Sequence, residues 1–173
     1  MKKAMRIFFQ QFVAQWESIG EGAPKAPWEP DADSFIWVGA PDEDEMVRWL
    51  PIEKDAIHDL AEIASDLPEL HSSIAEYFNS WWFCTLEGYY DGYFLMLDPV
   101  IPGIEFDSFL SNTRGYMSAH QGELNYVPIG MENEGLMVVV DNTDGRVFLE
   151  DYEISSFDLL AGSLEELVES LKY

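Results

Sequence analysis

The sequence predicts an α+β fold: a single domain over residues 1–173, with a central antiparallel sheet and helices packed beside it. Three observations lead there. Apolar residues at spacings of three and four mark amphipathic helices near both ends and twice in the middle. In the second half, β-branched and aromatic runs follow one another across short turns rich in Gly and Asp, a connection suited to antiparallel neighbours. Finally, no Pro-rich or Gly/Ser-rich linker divides a chain long enough for one full core.

The elements follow in order. Met5, Phe9, Phe12, Trp16 and Ile19 form the stripe of a first helix that stops before Gly20 and Gly22. The segment "GEGAPKAPWEPDAD" then reads as an ordered proline-rich loop anchored by Trp28. Two strands, "SFIWVG" and "MVRWLP", flank the acidic turn "APDEDE". Within "DLPELHSSIAEYFNSWW", Asp66 can cap a helix, Pro68 suits its first turn, and Leu70, Ile74, Tyr77, Phe78 and Trp81 line one side. The strands "WWFCTLEG" and "GYFLMLDP" pair around "GYYDG", and the unbroken apolar run from Tyr93 to Leu97 suggests cover on both faces. A third helix spans "EFDSFLSNTRGYMSAH", with Phe106, Phe109, Leu110, Thr113 and Met117 inward. Strands "NYVPIG" and "GLMVVV" come next, and "SLEELVESL" closes the chain as a helix with Ser163 and Glu166 in a capping box.

The stretch "VVVDNTDGRVFLED" offers two readings. A calcium loop needs oxygen ligands at alternate positions, but from Asp141 the third position is Thr143 and the fifth is Gly145. A hairpin fits better, with turn residues Asn142 to Gly145 between two apolar runs.

Enzyme chemistry finds little support. Cys84 lies in an aromatic strand amid acids, where a thiolate is disfavoured. His58, His71 and His120 are far apart in sequence; the first two suit solvated helix faces and the third a helix end, with no zinc pattern among them. No phosphate cradle is present. The sequence therefore offers no catalytic residue, no metal ligand set and no cofactor site. With one cysteine, no secretory leader and no membrane-length apolar run, a cytoplasmic location is expected.

Charge is the remaining signal. Nine Lys and Arg face 33 Asp and Glu, for a net charge of -24. Such a field repels nucleic acid and anionic lipid, and suits either solubility or a cationic protein partner. Asp42, Glu43, Asp44 and Glu45 share a turn; Asp55, Asp59, Glu62 and Asp66 read as a solvated helix face. Glu87, Asp91, Asp98, Glu105 and Asp107 flank the strands, whose ends converge on one rim of a sheet, so these five carboxylates are the candidate partner-binding residues.

Taken in order, "FVAQW", "VRWLPI", "LHSSIAEYFNSWW", "FDSFLSNTRGYM", "VPIGMENEGLMVVVDNTDGRVFLED" and "AGSLEELVESL" resemble the Syd family of the SMI1/KNR4-like (SUKH) superfamily. The resemblance implies an α+β fold, no enzyme activity, and a negatively charged concave surface that engages basic cytosolic segments of the translocon subunit SecY. It also implies a cytoplasmic protein, peripheral on the inner membrane through that partner. A monomer is the expectation. The alternative within the superfamily is an immunity protein that neutralises a basic secreted toxin of the nuclease kind.

Overall fold

Helix α1 (Lys2–Ser18) buries Ala4, Met5, Phe8, Phe9 and Phe12, the stripe that its spacing dictates. The chain is seen here as a computed structural model in which residues 1–173 are all described. Phe9 is the hub of the aromatic core, with ring centroids 5.2 Å from Phe83, 5.6 Å from Trp81 and 6.5 Å from Trp49. Ile19 lies past the helix end and is 61% exposed, so the stripe stops one turn earlier than its spacing suggests.

Three short strands follow, β1 (Lys25–Pro27), β2 (Trp37–Val38) and β3 (Met46–Trp49), in the order β1-β3-β2. The proline-rich loop thus contains a strand, because Lys25–Pro27 pairs with β3 across a distance that local sequence cannot report. Trp28 is 42% exposed, so its ring is no buried anchor, although its backbone N–H donates to Glu45 O at 2.8 Å. Within "SFIWVG", Ser34–Ile36 form a 3-10 turn and only Trp37–Val38 are extended. In the acidic turn, Asp42 binds Lys25 Nζ at 2.7 Å and accepts from Met46 N at 2.9 Å, which makes it a turn brace.

Strand β4 (Ile52–Glu53) pairs with β5 (Trp81–Trp82), and between them lie α2 (Leu60–Ile63) and α3 (Ser72–Phe78). The capping expectation at Asp66 is corrected here. Asp66 binds Arg114 at the surface, while α3 starts six residues later with His71 as its N-cap, the ring Nδ1 accepting from Ser73 N at 3.3 Å. Asp59, read as part of a solvated helix face, instead caps α2 by accepting from Ala61 N at 2.9 Å.

The main sheet has six strands in sequential order: β6 (Leu86–Tyr90), β7 (Tyr93–Leu97), β8 (Tyr126–Glu132), β9 (Met137–Asp141), β10 (Val147–Asp151) and β11 (Ser156–Ala161). Every neighbouring pair is antiparallel. Beyond its first residue strand β7 alternates: Leu95 and Leu97 are buried on one face, whereas on the other Phe94 is half-buried and Met96 exposed. Its apolar run therefore covers one face only, and runs of three consecutive buried residues fall instead on β8 (Val127, Pro128, Ile129) and β9 (Val138, Val139, Val140), which hold the middle of the sheet. Strand β11, with mixed polar and apolar residues, gave no clear alternation in sequence.

Helices α4 (Asp107–Ala119) and α5 (Leu164–Ser170) complete the fold. Phe109, Thr113 and Tyr116 of α4 are buried, and Phe106, Leu110 and Met117 pack partly buried against the core. The α5 cap forms with its return bond displaced: Ser163 Oγ accepts from Glu166 N at 3.1 Å, and Glu166 Oε2 accepts from Gly162 N at 3.0 Å, one residue before the N-cap. The hairpin reading of "VVVDNTDGRVFLED" holds as β9 and β10. Asp141 Oδ1 accepts from Thr143 N at 2.7 Å, and Gly145 turns the chain at φ +77°. Asn142 then fastens this turn to the rest of the molecule: its Oδ1 accepts from His71 N at 2.7 Å, and its Nδ2 donates to Glu69 O at 2.9 Å and Leu124 O at 3.2 Å.

Candidate functional site

Antiparallel register decides which side chains share the open face of the sheet, because directly paired residues project to the same side. Pairing runs Glu87↔Met96, Met96↔Met131, Met131↔Met137, Met137↔Glu150 and Glu150↔Phe157. A row of three methionines therefore crosses β7, β8 and β9 with a carboxylate at either end. Met96 is 37% exposed and Met131 49%, an apolar and adaptable floor. Asp98, just beyond the end of β7, sits two residues along from Met96 on that same side.

Helix α4 forms the wall. Its buried side carries Phe109, Thr113 and Tyr116; a second side carries Ser111, Asn112, Gly115 and Ala119, at spacings of one, three and four. These small and polar residues fill little space. They leave a cavity of about 560 Å³ between α4 and the sheet, with Asp98, Met131 and Met137 in its lining.

The five candidate carboxylates divide. Asp98 is largely buried in the cavity, and burial pushes its carboxyl up to about 6, with no neighbouring base to offset the effect. Its backbone is fixed, N–H to Ile129 O at 2.8 Å and carbonyl accepting from Tyr77 OH at 2.7 Å. Glu87 ends the methionine row, half-buried and also shifted upward by burial. Asp91 lies away from the groove in the tight β6–β7 turn, where Asp91 at φ +47° and Gly92 at φ +90° adopt the left-handed pair that a two-residue hairpin requires. Asp107 is exposed in the first turn of α4, where a carboxylate favours the helix dipole.

Glu105 is buried at 9% exposure and occupied within the protein, one oxygen 3.2 Å from His58 Nε2 and the other accepting from Gly103 N at 2.9 Å. His58 is accordingly no solvated helix residue: its ring packs edge-on to Phe106 and Trp82. Beneath them Lys54 is fully buried, its Nζ 3.4 Å from the Trp82 ring centroid. Burial lowers the ammonium to about 8, and the Glu105 charge opposes that shift. This cluster belongs to the scaffold. So does His71, as a helix cap, while His120 lies at the end of α4, as the sequence placed it, with its Nε2 2.8 Å from Glu150 Oε1. Burial raises the Cys84 thiol far above its usual range, and nearby Glu29 adds to the shift, so its thiolate is strongly disfavoured.

Comparison with known proteins agrees with this architecture. The family described as Syd protein (SUKH-2) matches residues 2–172. The chain belongs to the Syd family. Its relatives named Protein Syd include one from Aeromonas salmonicida, 29% identical over 173 residues and covering 94% of this chain and 93% of the relative. Another, from Psychromonas ingrahamii, is 28% identical over 95% of this chain and 91% of the relative. A third, from Idiomarina loihiensis, is 27% identical over 127 residues, 70% of this chain and 69% of the relative.

In this member of the Syd family, sequence reasoning missed Glu150, Tyr116, His120 and Tyr152, which continue the groove beyond Met137. Glu150 carried a usable signal. In "VFLED" the core side of the strand belongs to Val147 and Leu149, so an acid at Glu150 must share the opposite face with Phe148.

Proposed function

We propose that the protein is a binding protein, not an enzyme, which engages basic cytosolic segments of SecY and thereby regulates or checks the translocase. It would act from the cytoplasm, held at the inner membrane by that partner. Membership of the Syd family supports the reading, and one observation carries it: Asp98, recessed beside a methionine floor, has no base of its own chain to pair with. A carboxylate whose desolvation cost is already borne in the free protein gains most from a cation brought by a partner. The methionines add apolar contact that adapts to more than one sequence, and a net charge of -24 attracts a basic segment from a distance.

The test is binding to purified SecY by wild-type protein and by Asp98→Lys and Glu87→Lys. Affinity should fall from about 0.1 M to about 1 M salt, as the Debye length shrinks from about 10 Å to about 3 Å. Both charge reversals should weaken binding at low salt. No binding to SecY at low salt would defeat the reading, and selective capture of a basic toxin instead would favour an immunity protein.

A further inference from the structure

The groove does not end at Asp98. Across Tyr116, His120 and Tyr152, which line both spaces, it continues into a second cavity of about 550 Å³. Glu150, 2% exposed, belongs to its lining. One carboxylate oxygen, Oε1, is 2.8 Å from His120 Nε2; the other, Oε2, is buried without a hydrogen-bond partner in the protein. His120 cannot serve it, because its other nitrogen, Nδ1, already lies 2.8 Å from Tyr116 O. The Tyr116 hydroxyl is likewise buried and makes no well-aligned hydrogen bond; burial first, and second the approach of its hydroxyl to hydrogen-bonding range of Glu150, raise its pKa. Aromatic faces surround these atoms. Tyr126 stacks on Phe157 at 4.3 Å, Tyr116 on His120 at 3.9 Å, and Tyr152 meets the His120 edge at 5.6 Å.

The Glu150 oxygen that His120 leaves free and the Tyr116 hydroxyl, together at the base of an aromatic enclosure, suit a donor with more than one N–H. Guanidinium fits on three counts. It is planar and stacks on aromatic rings, it presents several donors in a fixed fork, and it is less tightly hydrated than an ammonium. We propose that this cavity takes the guanidinium of an arginine from the basic partner segment, with N–H groups donated to Glu150 Oε2 and the Tyr116 phenol oxygen. The inference rests on the partner being a basic protein segment, and specifies one of its residues and where that residue docks. From β7, which leads to Asp98, to β10, which carries Glu150, are three strand spacings, about 14 Å. An extended segment would therefore address both carboxylates with cations about four or five residues apart.

The experiment titrates the full chain, followed by backbone amide NMR, with acetyl-Gly-Arg-Gly-amide and with its lysine and citrulline counterparts. The arginine peptide should give saturable shifts at Tyr116, His120, Glu150 and Tyr152; the lysine peptide should bind more weakly, and uncharged citrulline should not bind. Glu150→Gln should weaken arginine binding at least about tenfold, the scale of one charge-assisted hydrogen bond. Tyr152→Ala, at an exposed rim position, keeps the test decisive if the buried variant misfolds, and should weaken binding several-fold. Glu43→Gln, exposed in the turn between β2 and β3, should leave it unchanged. Equal binding of citrulline, shifts confined to the Asp98 cavity, or indifference to both Glu150→Gln and Tyr152→Ala would overturn the proposal. SecY binding that survives Tyr152→Ala and Glu150→Gln but not Asp98→Lys would remove the arginine pocket and leave the proposed function standing. Arginine binding without SecY binding would do the reverse.

Discussion

Replacing Asp98 by Asn should make the protein more stable at neutral pH while impairing partner binding. The carboxyl titrates near 6 in the folded chain against 3.8 ordinarily, because burial disfavours its charge. At 1.36 kcal/mol per tenfold change in proton affinity, the ionised group costs the fold on the order of 2–3 kcal/mol. The native state binds more protons than the unfolded state between these two values, so wild-type stability should fall as pH rises from about 4 to about 6 and then level off. Asparagine has the same shape and no charge. The variant should therefore gain up to about 3 kcal/mol at pH 7.5, or roughly 6–10 °C in melting temperature, and almost nothing near pH 4. Urea denaturation of both proteins at several pH values measures this directly. An equal gain at both ends of the range would mean that packing rather than charge is responsible, and a loss at pH 7.5 would refute the burial argument outright. Binding should move oppositely: wild-type affinity for a basic partner should rise as pH passes 6, while Asp98→Asn stays flat.

Other outcomes follow from the scaffold. Lys54→Met should stabilise the fold at pH 7 by on the order of 1–3 kcal/mol, since burial holds the ammonium near 8 instead of 10.5. That gain should shrink as pH rises from 8 towards 10.5, where the native lysine is already neutral; a destabilised variant at pH 7 would contradict the reasoning. Asn142→Ala removes three hydrogen bonds that tie the β9–β10 turn to α3 and the chain before β8, and urea midpoints should register a loss of about 2–4 kcal/mol. Gly145→Ala should also destabilise, because a Cβ there meets the His71 ring at a backbone φ of +77°. Phe9→Ala, at the hub of the aromatic core, should cost about 3–5 kcal/mol by the same measurement.

Register explains why the candidate groove was harder to read than the fold. Asp98 and Glu87 could be named from sequence as carboxylates beside strands, but their company with Met96, Met131 and Met137 follows only from how four strands align. Glu105 looked equivalent to them and is instead occupied by His58, a contact across 47 residues that no local spacing announces. The helix start expected at Asp66 failed for a similar reason, although the helix itself formed: a serviceable cap was present, yet Arg114 took the carboxylate and His71 took the capping role. Where a decision was local, the reading held. The α5 cap, the β9–β10 turn and the α1 aromatic stripe each depend on residues within a few positions of one another.

Sequence by itself determined the α+β class, the strong negative field, the family resemblance and the absence of an activated thiol or histidine pattern, because composition, periodicity and turn chemistry are properties of neighbours along the chain. The tertiary structure decided which acids are recessed, which are consumed by internal pairs, and that Asp98 and Glu150 flank one groove beneath α4. Burial and pairing depend on residues far apart in sequence, and a carboxylate's readiness for a partner is set by those surroundings rather than by its own identity.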